Sequence, residues 1–280
     1  MQTRKKAKHM KQDEIQQAVK ESFKVINKLS KKIIDGFNID SIHDFRVEIK
    51  NLRAFLRLLS VENNDKSAML TKKMKAFYGY AGIIRNIQLQ LQMAENYCNE
   101  KQLPQPLSYL SLLQMEAHNW KKELMDLMEG NNFYDDEEYI MKKLPNKLTK
   151  TSIKQFAVDK VTDIKIQMTH LHNEESMHNM RKLLKDLMYT WPYINELAIL
   201  PAFINNKQSL KSLTTIIGDF NDLCMQLMFL GSAYFDKIKD ENEKKILNKI
   251  TKDCLTNKAK IKKEMTVKLK LLDFNASTPA

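Results

Sequence analysis

The stretch Ile42-His43-Asp44-Phe45-Arg46-Val47-Glu48-Ile49-Lys50 returns in altered form as Met177-His178-Asn179-Met180-Arg181-Lys182-Leu183-Leu184-Lys185. Both copies read apolar-His-x-apolar-Arg, with a lysine seven residues after the histidine. A second echo follows each copy. Gly82-x-x-Arg85-Asn86 begins 39 residues after His43, and Gly218-x-x-Asn221-Asp222 begins 40 residues after His178. Two matched elements at nearly equal separation read as a duplicated unit. The apolar period is helical: at about 100° per residue, Phe45, Ile49, Leu52, Leu56 and Leu59 form one stripe along a helix.

Beside that stripe, His43, Arg46, Lys50, Arg53 and Arg57 fall in a sector of about 80° and present five cations over about 21 Å of helix axis. Asp44 and Glu48 point elsewhere on the wheel. Like charges at these spacings destabilise a helix by about a few tenths of a kcal/mol per pair. An uncompensated row therefore opposes folding, and binding a linear polyanion is a physical reason to keep it. Only six of the 46 basic residues are arginine. Four of these lie on the two motif helices, and Arg85 lies in the echo. The arginine fork matches phosphate oxygens bidentately, whereas lysine acts as a compact solvated charge. The alternative reading is that these arginines bridge helices through Asp44, Asp222 or Glu48.

Working outward, apolar residues at three- and four-residue steps predict a helix from Gln12 until Asp35-Gly36 stops it. A second is expected from Ser41, as N-cap, to Ser60, a third from Lys66 to Glu100, and a fourth, after Pro104 and Pro106, from Leu107 to Glu129. Gly130-Asn131-Asn132 divides the chain into a first bundle, 1–132, and a second, 133–280. The second half predicts helix over Glu137–Leu171, broken near Pro145, and over Ser176–Asn205, bent at Pro192 and Pro201. Helices over Gln208–Lys239 and Asn242–Leu272 complete it, ahead of a frayed tail. Strand-like alternation is absent, so the fold class is all-α.

Composition agrees. The 280 residues hold six Gly, six Pro, 43% apolar and 29% charged residues, the profile of a folded helical protein. Net charge is +12, which favours anionic partners without choosing among them. Cys98, Cys224 and Cys254 are scattered and read as reduced thiols. The charged N-terminus lacks the apolar stretch of a signal peptide, and no run of about 18 apolar residues occurs, so a cytoplasmic location without membrane association is expected.

The segments IHDFRVEIKNLRAFLRLL (residues 42–59), MHNMRKLLKDLMYTW (177–191) and IIGDFNDL (216–223) together resemble the motifs of the CHAD family, the conserved histidine α-helical domain. The resemblance covers about Gln12 to Leu272. It implies two four-helix bundles related by pseudo-twofold symmetry, with a basic central groove or pore that binds inorganic polyphosphate, and association with polyphosphate granules. Residue by residue, it assigns polyphosphate contacts to His43, Arg46, Lys50, Arg53 and Arg57, and to His178, Arg181 and Lys185. Arg85 and Lys182 adjoin them. Asn51, Asp186 and Met188 stand where basic residues are usual, and Asn86 where Asp is common, so a less cationic second half is expected. The run Lys258–Lys270, including Lys262, is the leading compensating cluster and Lys72, Lys73 and Lys75 a second. Both also read as solvated helix faces.

Other chemistry has little support. His170 and His172, near His178, Glu174 and Glu175, read as surface residues rather than a metal site. No P-loop, GxGxxG or HExxH occurs, and the motif helices lack the carboxylates that would hold Mg²⁺ beside phosphate. The expected activity is non-enzymatic polyphosphate binding without a cofactor. Nucleic acid is the rival ligand, although the cationic row carries no aromatic platform on its own face. A helical scaffold for an acidic protein partner is the third reading.

Overall fold

The computed structural model describes residues 10–270, except 63, 66, 129–131, 171–172, 196–199 and 202–205. Gly130 and Asn131 of the expected boundary, His172, the helix end at Leu272 and the C-terminal tail lie outside the described residues. The rest is helical: α1 Gln12–Gly36, α2 Ile39–Ser60, α3 Lys72–Glu100, α4 Leu107–Met128, α5 Tyr134–Met141, α6 Lys150–Met168, α7 Glu174–Ile194, α8 Lys207–Phe229, α9 Ser232–Phe235 and α10 Glu241–Lys270. One departure from the all-helical pattern is a two-residue antiparallel pair, β1 Met10–Lys11 with β2 Lys147–Leu148, too short to leave an alternating signal.

Local chemistry sets the helix ends. α1 buries Ile15, Val19, Phe23, Ile26 and Ile33, the stripe its sequence repeats. It ends where Phe37 takes the left-handed conformation at φ 49° and returns its N–H to the Ile33 carbonyl. α2 begins earlier than expected because Asn38, not Ser41, is its cap: Asn38 Oδ1 accepts from the amides of Asp40 and Ser41 at 2.9 and 3.1 Å. α3 starts at the Thr71 cap, whose hydroxyl also bonds Asp136 at the start of α5. α7 runs through Pro192 and ends at Ile194, and the expected end at Asn205 lies outside the described residues. Near the C-terminus of a helix a missing N–H removes one bond and favours termination. The helix expected over 208–239 is split at Gly231, which caps the short α9 in an extended conformation.

α2 packs on α1, α3, α6 and α7, and α7 packs on α6 and α8 as well. Further out, α3 meets α8 and α4 meets α10. The contacts of α2 with α6 and α7, of α3 with α8 and of α4 with α10 each join a helix of the first half to one of the second. The larger apolar cluster likewise draws on both halves, from Ile15 on α1 to Leu269 on α10. A second cluster gathers Tyr109 and Leu113 of α4 with Ile246 and Ile250 of α10. Phe45, Phe77 and Phe133 interlock at centroid distances of 4.8, 5.4 and 6.3 Å, fixing α2 against α3. Phe55 stacks on Tyr193 at 5.0 Å and ties α2 to α7.

Because α2 packs against α1, α3, α6 and α7, its cap carries weight. Asn38→Ala is expected to lower stability by about 1 kcal/mol, a fall in Tm of about 2–4 °C in a chain of this size. Thermal unfolding followed by circular dichroism measures it.

Candidate anion-binding site

The cationic face of α2 is not a solvent-facing ridge. It turns into the seam that α2 shares with α3 and α7. Arg46 donates from Nη1 to the Tyr78 carbonyl at 2.7 Å, and its guanidinium stands 4.2 Å from the centre of the Tyr78 ring. The Arg53 guanidinium approaches the same ring at 5.7 Å. Lys185 reaches the Tyr189 ring at 5.9 Å. Cations stacked on rings gain about 0.5–2 kcal/mol each, more as they leave water.

Charge from both halves converges on Lys50. Burial, and the charges of Arg46, Arg181, Lys185 and Arg85, push its ammonium down to about 7 from an ordinary 10.5. Burial and the neighbouring Arg85, Arg181 and Arg53 likewise lower Arg46. Burial and Arg181 lower Lys185. Burial first, then the Arg85 charge, holds the exposed His43 imidazole below 6.5. The Nε–H groups of Arg85 and Arg181 are buried with no acceptor among the described residues. Two unsatisfied guanidinium donors beside a crowded ammonium define a region of positive potential.

The echo motif has a steric explanation. The Arg46 guanidinium occupies the space where a Gly82 side chain would project, with Cζ only 2.7 Å from an ideal Cβ. In the second half, Arg181 lies against Gly218, with Nε and Nη2 3.7 Å from the corresponding Cβ position. The residue three positions after each glycine meets the histidine of its own half. Asn221 Oδ1 is 3.1 Å from His178 Nδ1, and Arg85 acts electrostatically on His43. Gly82 thus admits the motif arginine of its half, whereas Gly218 only adjoins Arg181 at ordinary contact distance.

Of the residues singled out from sequence, Arg46, Lys50, Arg53, Arg85, Arg181 and Lys185 share the seam, with His43 and His178 exposed beside it. Arg57 departs from expectation. Its Nη1 lies 2.6 Å from Asp186 on α7, and Lys160 on α6 joins the same carboxylate at 2.9 Å. Lys182 is exposed and donates to Asn179 on its own helix at 3.3 Å. Lys262 belongs to α10, where it acts on the Glu174 carboxylate. Lys258 of the same run pairs with Glu174 at 2.8 Å, and Lys268 with Glu264 at 2.9 Å. Lys73 donates to the Asn132 carbonyl at 2.9 Å. Glu174, placed beside the histidines in the metal reading, is therefore engaged by lysine.

Sequence reasoning missed Tyr78, Tyr189 and Lys160. Tyr78 was legible: it precedes Gly82 by four residues and Arg85 by seven, on the same face of α3. Tyr78 supplies a ring that the wheel of α2 alone does not show. The ring comes from the neighbouring helix, and the arginines engage it.

The family model of the CHAD domain matches residues 17–231, and the chain belongs to that family. Among solved structures, the fold is similar to the crystal structure of the CHAD domain from the plant Ricinus communis. The TM-score is 0.68 at 12% identity, covering 94% of this chain and 92% of that one. No curated protein matches the sequence.

Gly82→Ala separates site from fold. Alanine gains about 0.8–1 kcal/mol of helix propensity over glycine, while its Cβ evicts the Arg46 guanidinium, a flexible side-chain end. Unchanged or raised Tm with anion affinity reduced about tenfold, the scale of one lost charge-assisted bond, is the expected outcome. Gly218→Ala, where the contact is ordinary, leaves affinity within about twofold. Calorimetric titration of both variants with polyphosphate measures the difference.

Proposed function

We propose that the seam between α2, α3 and α7 binds inorganic polyphosphate without chemical turnover, in a cytoplasmic setting. The observation that carries this reading is the convergence of Arg46, Arg85, Arg181 and Lys185 on Lys50, whose ammonium is lowered to about 7 by burial first and by these charges second. Folding alone gives no reason to assemble such a group, because like charges brought together out of water oppose the native state. A chain of phosphates supplies closely spaced acceptors that compensate all of them at once, including the orphaned Nε–H groups of Arg85 and Arg181. The two copies of the motif, each with its arginine set against a glycine, support a duplicated origin in which each half contributes one wall.

Polyphosphate fits better than nucleic acid. Single-stranded nucleic acid binds by stacking bases on free aromatic faces, whereas the Tyr78 ring already carries Arg46 and lies within reach of Arg53. An acidic protein partner remains the third reading, separated by the same assay.

Binding is expected to release counterions, so log K falls linearly with log salt, with a slope of about −0.7 per neutralised phosphate for a single-stranded polyanion. Below pH 7 Lys50 is already protonated in the free protein. Above that, binding must draw its proton from solvent, so affinity declines as pH rises from 7 toward 10. Arg46→Ala with Arg181→Ala is expected to weaken polyphosphate binding by about 10²- to 10⁴-fold, at about 1.5–3 kcal/mol for each of two charge-assisted bonds. Unchanged retention by the double variant, or displacement of polyphosphate by RNA at equal phosphate concentration, contradicts the reading.

A further inference from the structure

The two motif helices carry rows of unequal length. On α2, cations stand at His43 and at three, seven, ten and fourteen residues beyond it. On α7 they stand only at His178 and at three and seven residues beyond, and then Met188 and Pro192 occupy the positions equivalent to Arg53 and Arg57. The last of the two surplus cations, Arg57, does not reach into the seam unopposed. Its Nη1 lies 2.6 Å from Oδ1 of Asp186, and the other oxygen of that carboxylate takes Lys160 Nζ at 2.9 Å. The Asp186 side chain is 9% exposed, Lys160 16% and Arg57 34%. Asp186 is continuous with the anion site: it follows Lys185 directly, and its charge acts on both Arg53 and Tyr189.

We infer that Asp186 is an end stop for the ligand: a built-in carboxylate that takes the place of a phosphate on Arg57 and Lys160, and so fixes where along α2 a bound polyanion chain terminates. This rests on the polyphosphate reading of the seam. An anion running past Arg53 meets the Asp186 carboxylate, and like charge at that point repels it. Displacing the carboxylate would leave it buried without its partners, a heavy penalty for a charge. The bound chain is therefore confined to the stretch of α2 that ends at Arg53. Asp186 sets ligand register and length through repulsion rather than contact.

The salt dependence of binding reads the number of phosphates engaged, and two variants locate the stop. Asp186→Asn releases Arg57 and Lys160 to the ligand. The slope of log K against log salt is expected to steepen by about 0.7 to 1.4, the increment for one or two further phosphates. Arg57→Met, in the presence of Asp186, is expected to leave affinity and slope within twofold of wild type, because that arginine is not a ligand. Should Asp186→Asn fail to fold, the Arg57→Met arm decides alone. Weakening of polyphosphate binding by Arg57→Met as large as that of Arg53→Met overturns the end stop while leaving the polyphosphate reading intact. Failure of the wild-type chain to bind polyphosphate overturns that reading, and the end stop with it.

Discussion

Repulsion between α2 and α7 is the interaction on which the rest of the molecule turns. Two helices that present Arg46, Lys50, Arg181 and Lys185 toward one seam do not pack side by side on their own account. They are held by what surrounds the seam. Phe55 and Tyr193 stack across it, Arg57 and Asp186 pair across its end, and the large apolar cluster continues from one half into the other. Apolar burial at about 25 cal/mol per Å² is enough to oppose crowding of this kind. The structure thus keeps an unfavourable electrostatic arrangement inside a favourable hydrophobic one.

That balance gives the free protein a particular pH response. Lys50 titrates near 7 in the folded chain, against an ordinary 10.5 in an unfolded one. Between those values the unfolded state holds the extra proton, so this residue's unfavourable contribution is full below pH 7 and is relieved as pH rises toward 10.5. A ligand that restores the Lys50 charge reverses the trend and stabilises the fold most where the ammonium is already present. The site is stored strain of an electrostatic sort, of the kind expected where stability is given up for binding.

Much of this was legible in the sequence, for identifiable reasons. The apolar period of α1 and the histidine-arginine repeat are local patterns, and local patterns survive in one dimension. The cationic sector of α2 followed from helix geometry alone. The partners that the sector meets did not, because they come from other helices. Nothing local tells Asp186, which looks like a lost cation in the second repeat, that it answers Arg57 at a sequence distance of 129 residues. Tyr78 lay within reach, one turn ahead of Gly82, had the face of α3 been read beside that of α2. The lysines of α10 show the opposite error. Their density attracted a functional reading, yet Lys258 and Lys262 act on Glu174 and Lys268 on Glu264. Charge density in sequence does not reveal which charges are already answered.

Boundary errors have similar causes. Asn38 displaced Ser41 as the cap of α2 because capping depends on which side chain reaches the exposed amides. Gly231 divided α8 from α9 because a single glycine between helical runs is decided by packing. These shifts leave the seam itself untouched, since Arg46, Gly82, Arg181 and Gly218 all lie in helix interiors. The central claim, that Lys50 is buried among cations of both halves, is tested most directly by titrating the Lys50 side chain in the ligand-free protein by ¹³C-detected NMR. The account predicts a midpoint near 7, whereas a midpoint near the ordinary lysine value of about 10.4 contradicts it.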